Sequence, residues 1–197
     1  MVTDPYSWVI LSVHLYLQLN SNVWKLQYQT LLAQQNSQGF TSHDTNGLVP
    51  KKYLAAHYLS YKTKRMEIGL FESVAFGRKD HFEFQYLNPV IFYRSIEHFQ
   101  GSADNVLLGL NMRYTIPKVC AVYGQLALDE FVLKELLSNK GWWGNKYGLQ
   151  IGALFVDIAK IDHLDARIEY NRIRPYTYEH YDTVSSYTHY LYPLSHP

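Results

Sequence analysis

The sequence predicts an all-β fold: an antiparallel up-and-down transmembrane β-barrel, present in part as about eight or nine strands of a larger barrel, with one or two short helical inserts. Three observations predict it. Apolar and polar residues alternate over long segments, close to the roughly 9 to 11 residues that a tilted strand needs to cross a hydrocarbon layer and longer than the ~5 to 6 typical of soluble sheets. The segments come in pairs joined by very short turns, with much longer connections between pairs, the asymmetry of outer-membrane barrels with their short periplasmic and longer extracellular links. No stretch approaches the ~18 unbroken apolar residues of a membrane helix, and an open sheet leaves backbone groups unsatisfied in lipid, so a barrel is the spanning architecture that remains.

In chain order, Trp8 to Leu19 and Asn22 to Leu32 form the first pair around Asn20-Ser21. Lys52 to Tyr61 and Arg65 to Ala75 form the second around Lys62-Thr63-Lys64. Val106 to Ile116 and Lys118 to Leu128 meet near Pro117, and Tyr147 to Ile158 and His163 to Ile173 meet across Lys160. Ser186 to Leu191 is a candidate ninth strand. Long loops fall at about 33 to 51, 76 to 105, 129 to 146 and 174 to 185. Successive side chains of a strand point to opposite faces. Leu164, Ala166, Ile168 and Tyr170 therefore share one face, and Asp165, Arg167, Glu169 and Asn171 the other. Val106, Leu108, Leu110, Met112 and Tyr114 form a second apolar face, opposed by Gly109, Asn111 and Arg113. The expected lumen-facing residues are Asn111, Arg113, Asp165, Arg167 and Glu169. A soluble sheet with one wet face gives the same alternation; segment length and loop asymmetry favour the membrane.

Composition agrees. Charged residues make up 18%, below the ~25% of average soluble domains. Aromatics reach 16%, with 18 tyrosines, as interfacial belts require. A net charge of +1 and the lack of a basic cluster with interleaved aromatics argue against nucleic acid. The single Cys120 excludes an intrachain disulfide and any multi-cysteine metal site, and reads as a small apolar strand residue. Met1 to Pro5 lacks the basic and apolar regions of a signal peptide. Tyr192 to Pro197 reads as the middle of a loop, so residues 1–197 are expected to be one fragment of a barrel domain without signal peptide or complete closure.

The inserts carry the candidate chemistry. Phe82 to Arg94 is too apolar for a loose loop; Pro89 is placed to open a short helix running to Phe99, and the segment is expected to plug the barrel mouth or lumen. Asp129 to Asn139 shows helical i, i+3, i+4 apolar spacing, with Gly141 placed to end it. Trp142 and Trp143 follow, as an interfacial anchor or as rings on which a ligand stacks. In Glu169 to Tyr181, aromatic faces beside Arg, Asn and Glu suit a sugar, whose apolar face packs on a ring while its hydroxyls find charged partners. The same composition makes an ordinary barrel rim. The ligand candidates are Tyr93, Arg94, Trp142, Trp143, Arg172, Arg174, Tyr176 and Tyr178.

Catalytic readings are weak. Asp129 with Glu130, Glu67 with Glu72, and Asp162 with Asp165 are carboxylate pairs of a kind common by chance, and only their spatial separation is diagnostic of a glycosidase. Ser186 and His189 lack an orienting third group and oxyanion donors. The nine histidines include no H-E-x-x-H spacing, so neither a metal nor another cofactor is expected, and His14 and His57 read as lumen or rim residues.

Several blocks are similar to one family: Gly69 to Ser73, Gln85 to Arg94, Tyr123-Gly124-Gln125 to Asp129-Glu130-Phe131, Gly141 to Lys146, and Glu169 to Arg172 with Arg174 to Tyr178. Together they resemble the Wzi capsule-assembly outer-membrane family, closest to its Bacteroidota gliding-motility RemB-like branch, from about Trp24 onward. The resemblance implies a non-enzymatic barrel of the bacterial outer membrane that binds capsular or surface polysaccharide as a lectin. Capsule attachment or assembly would be its role, or surface adhesion during gliding. It implies polysaccharide and outer-membrane lipid as partners and a monomeric barrel when complete; the rival expectation is a porin-like solute channel. The family's barrel carries a helical bundle at its periplasmic end, and if the Asn88 to Phe99 insert belongs to that bundle it lies on the inner side.

Overall fold

The period-two alternation becomes a single eight-stranded antiparallel sheet in the computed structural model, which describes residues 15–36, 51–77, 86, 104–129, 146–178, 185–189 and 192–193. Its strands are β1 (Tyr16–Val23), β2 (Leu26–Asn36), β3 (Lys51–Lys62), β4 (Met66–Phe76), β5 (Asn105–Ile116), β6 (Cys120–Asp129), β7 (Lys146–Phe155) and β8 (Ala166–Ile173). Spatial order follows chain order from β1 to β8, so every neighbour is a hairpin or loop partner. β1 and β8 are the two edges and do not pair with each other among the described residues, so the sheet is not closed.

Residues directly opposite in an antiparallel pair share a face, so the register carries each face across all strands. One level reads Tyr28, Leu59, Leu70, Leu110, Leu126 and Leu149, with leucine on five successive strands. The next reads Val23, Leu26, Tyr61, Ile68, Met112, Gly124, Ile151 and Tyr170. This apolar face is also strongly solvent-accessible: Leu110 is 42% exposed, Met112 47% and Ile151 50%. At ~3.4 Å per residue, the run from Leu108 to Ile116 is roughly 27 Å long.

The opposite face is polar and better covered. Asn111, Ser60, Ser73, Lys52 and Asp129 lie there and are all buried. Large rings alternate with glycines across its strands. Phe71 lies over Gly109, where an added Cβ would stand 2.0 Å from the ring; Tyr58 lies over Gly69, and Tyr123 over Gly152. Glycine in these strands gives the neighbouring ring its space.

The turns differ from expectation at two places. The first lies at Trp24-Lys25, not Asn20-Ser21. Asn20 and Asn22 extend the polar series of Tyr16 and Gln18, while Leu17, Leu19, Ser21 and Val23 extend the other face, so the alternation continues through what reads as turn composition. Trp24 takes the left-handed backbone region at φ 55°. The last connection is longer than expected and contains a 3-10 turn at Ile158–Lys160. His163, Leu164 and Asp165 belong to that connection, and β8 begins only at Ala166. The Lys62-Thr63-Lys64 and Pro117 turns fall as expected. In the former the Thr63 hydroxyl donates to Met66 O (3.0 Å) and accepts from Met66 N (2.9 Å).

Among the described residues, the stretch expected as a ninth strand at Ser186 to Leu191 does not join the sheet. Thr188–His189 (β9) and Tyr192–Pro193 (β10) instead pair with each other as a separate ribbon. The helix expected at 89–99 lies outside the described residues, as does all but the first residue of the one expected at 129–139; that residue, Asp129, is instead the buried end of β6.

Packing concentrates at the long-loop end, on both faces. Ala55, Val74, Phe76 and Val106 pack with Tyr86 on the apolar side. Ala33, Leu54, Ala75, Leu107 and Ala127 pack with Tyr187 on the polar side. Tyr86 belongs to the insert expected to plug the lumen; it sits on the apolar face, its ring centroid 4.5 Å from that of Phe76 and its hydroxyl donating to Asp104 Oδ2 (2.6 Å). The ring slots give a direct test: Gly109→Ala should lower stability by about 1 to 3 kcal/mol through overpacking. In a Phe71→Ala background the same substitution should cost almost nothing, as a double-mutant cycle by denaturant unfolding will read.

Candidate functional site

The polar face holds the candidate site, and its residues arrive there through the register. At mid-height one level reads Asn22, Gln27, Ser60, Gly69, Asn111, Gln125, Gln150 and Asn171, a row in which six of eight strands present a side-chain amide. Amides donate and accept equally and carry no charge, so the row suits hydroxyl-bearing or water-bridged ligands. One level toward the long loops lie Tyr58 and Phe71; one level the other way lie Lys62, Glu67, Arg113, Tyr123 and Glu169. Asn111 Nδ2 donates to the Tyr58 hydroxyl (3.1 Å), which donates to Glu67 Oε1 (3.2 Å).

A second network centres on Glu169. Its Oε2 accepts from the Tyr123 hydroxyl (2.5 Å) and its Oε1 from Asn171 Nδ2 (2.9 Å). Arg167 Nε donates to the Tyr123 oxygen (2.8 Å) and to Glu169 Oε2 (3.1 Å), and its guanidinium also pairs with that carboxylate. The guanidinium carbon lies 5.6 Å from the Tyr123 ring centroid. β6 and β8 are not neighbours, so Tyr123 reaches across Gly152 on β7 to tie them.

The long-loop end of the polar face is occupied by the chain itself. Tyr187, buried against the Ala33, Leu54, Ala75 and Leu107 cluster, donates its hydroxyl to Ser73 O (2.8 Å) or Asn105 O (2.9 Å) and accepts from Leu107 N (3.1 Å) and Ser73 Oγ (3.2 Å). Lys52 Nζ donates to Ser186 O (2.7 Å) and Thr188 Oγ1 (3.1 Å). Asp129 Oδ2 accepts from Tyr178 N (2.9 Å), and the Tyr178 hydroxyl stands against Gly148. Tyr178 and the stretch from Ser186 to Thr188 are therefore docked by a buried cation, a buried carboxylate and a buried phenol. Burial pushes the Tyr187 phenol well above its ordinary value; Tyr178 is raised by burial and then by the Asp129 charge.

The expected residues divide. Asn111, Arg113, Arg167 and Glu169 share the polar face. Asp165 does not: it lies exposed in the β7–β8 turn, where its Oδ1 accepts from Asp157 N (3.2 Å). Arg172 falls on the apolar side opposite Leu149, and both Arg172 and Arg174 lie near the Tyr147 ring (6.0 and 5.9 Å). Tyr176 is exposed and Tyr178 half-buried, both with positive φ. Tyr93, Arg94, Trp142 and Trp143 lie outside the described residues.

Glu67 and Glu72 sit at odd spacing on one strand and so on opposite faces, which removes them as a pair. Asp162 and Asp165 lie in an exposed turn, Glu130 and the His189 side chain lie outside the described residues, and Ser186 meets Lys52 through its main-chain oxygen. Among the described residues no group of three His, Cys, Asp or Glu side chains is placed to hold a metal.

Sequence reasoning missed the docked Tyr187, Lys52 and Asp129, which lie far apart in the chain. It also placed His57 at the lumen or rim; His57 is buried on the apolar face, opposite Glu72, stacked on Tyr28 (5.7 Å) and within 2.8 Å of its hydroxyl. Its spacing of two from Ala55 and Leu59 was the available signal. Comparison with known proteins finds no matching family model, curated protein or solved structure.

Two outcomes are expected of the docked segment. Tyr187→Phe removes a hydroxyl that satisfies buried partners and should cost about 1 to 3 kcal/mol, read as earlier proteolysis of the segment. The Tyr187 contribution is complete below its unfolded value of 10.0 and falls as pH rises above it toward the higher folded value. An alkaline titration of tyrosine absorbance should show late-ionising phenols, one of which Tyr187→Phe removes.

Proposed function

We propose that this chain forms part of a bacterial outer-membrane β-barrel that binds surface polysaccharide without chemically altering it, and so helps attach or assemble capsule. The observation that carries the reading is the division of the sheet: one face apolar and exposed over a membrane-sized length, the other polar and occupied at its long-loop end by the chain's own segment. An exposed apolar surface of that extent calls for a non-aqueous neighbour, and lipid is the neighbour a barrel provides. Occupation of the polar face by Tyr187, Lys52 and Asp129 favours a binder over an open solute channel.

The polysaccharide reading also rests on the resemblance to the Wzi family and on the chemistry of the polar face. Amides and satisfied charges offer hydroxyl partners, and tyrosine rings offer stacking surfaces. Surface adhesion during gliding would use the same binding.

Glycan-array binding tests the reading, with Trp142→Ala/Trp143→Ala set against the unaltered protein. Loss of two stacking rings should weaken binding roughly tenfold or more, with membrane insertion intact. Unchanged binding would return the tryptophans to interfacial anchoring, and ion conductance without glycan binding would favour the channel.

A further inference from the structure

The short-turn end carries a pattern that glycan binding does not use. Backbone hydrogen bonds link its turns into a continuous rim: Lys62 N to Lys25 O (2.8 Å), Thr115 N to Arg65 O (2.7 Å) and Val156 N to Val119 O (3.0 Å). The first three turns present Lys25, Lys62, Lys64, Arg65 and Lys118, all exposed. Among the described residues Glu67 pairs with Lys62 at 3.6 Å. Trp24 stands beside them 84% exposed, with the Lys25 ammonium 4.8 Å above its ring and 5.9 Å from that of Tyr61.

The position of this collar matters as much as its charge. It begins where the exposed apolar face ends, at Val23, Leu26, Tyr114 and Ile116. Cations with an amphipathic ring at the edge of an apolar band match the depth of lipid headgroups. The charge is uneven around the rim: the β7–β8 turn beside Lys118 carries Asp157, Asp162 and Asp165 with one lysine, Lys160.

We infer that the first three short turns, through Lys25, Lys64, Arg65 and Lys118, bind anionic phospholipid headgroups in the leaflet at that end. The inference rests on the proposed barrel reading. The ammonium and guanidinium groups pair with headgroup phosphates, Trp24 sits among the headgroups, and the acyl chains cover the adjoining apolar face. Each cation near an anionic surface changes affinity about fivefold.

The test uses the full chain reconstituted in phosphatidylcholine bilayers, with spin-labelled phosphatidylglycerol and phosphatidylcholine as probes. Insertion is scored first, by resistance to alkaline extraction. The unaltered protein should prefer phosphatidylglycerol several-fold, and high salt should erase the preference. Lys25→Gln/Lys64→Gln/Arg65→Gln/Lys118→Asn should insert normally and lose it, while Lys51→Gln at the other end keeps it. Normal insertion without preference, or a preference that survives the fourfold substitution, overturns the collar alone. Failure to insert overturns the barrel reading and the collar with it.

Discussion

Antiparallel register is the constraint on which the rest depends. Opposite residues share a face, so a single phase chosen by one hairpin is imposed on all eight strands. The leucines at 59, 70, 110, 126 and 149 and the amides from Asn22 to Asn171 are two readings of that one phase. A slip of one residue at any strand would place amides among leucines, and the cost would be paid along the whole length of that strand.

The polar face shows how such a surface is filled when small and large side chains must interlock. Glycines at 69, 109 and 152 leave slots, and Tyr58, Phe71 and Tyr123 fill them from neighbouring strands. The two tyrosine rings then carry hydroxyls to Asn111, Glu67 and Glu169, so the same residues pack the face and order its polar groups. At the long-loop end Tyr187 repeats the scheme from outside the sheet, laying an aromatic body against alanines and a hydroxyl against strand backbone.

Much of the fold was legible because alternation is local. Leu108 to Ile116 and Ala166 to Ile173 declare their faces within a few residues, and the Lys62 to Lys64 and Pro117 turns were visible as breaks. The first turn was misplaced because Asn20 and Ser21 have turn composition inside a strand whose phase they keep. Asp165 went astray because alternation runs on through a turn. The docked segment was not legible: Lys52 and Ser186 are far apart in sequence, and no periodicity announces a contact between them.

Since β1 to β8 stand in the sheet in the order of the chain, each short-turn hairpin is a detachable unit. Removing or duplicating β3 and β4 together would bring β2 against a strand of the correct direction, with Gln27 and Asn111 already at the same level. A sheet of this kind can widen or narrow by whole hairpins in evolution without rewriting either face, so its width is a variable while the character of its two faces is not.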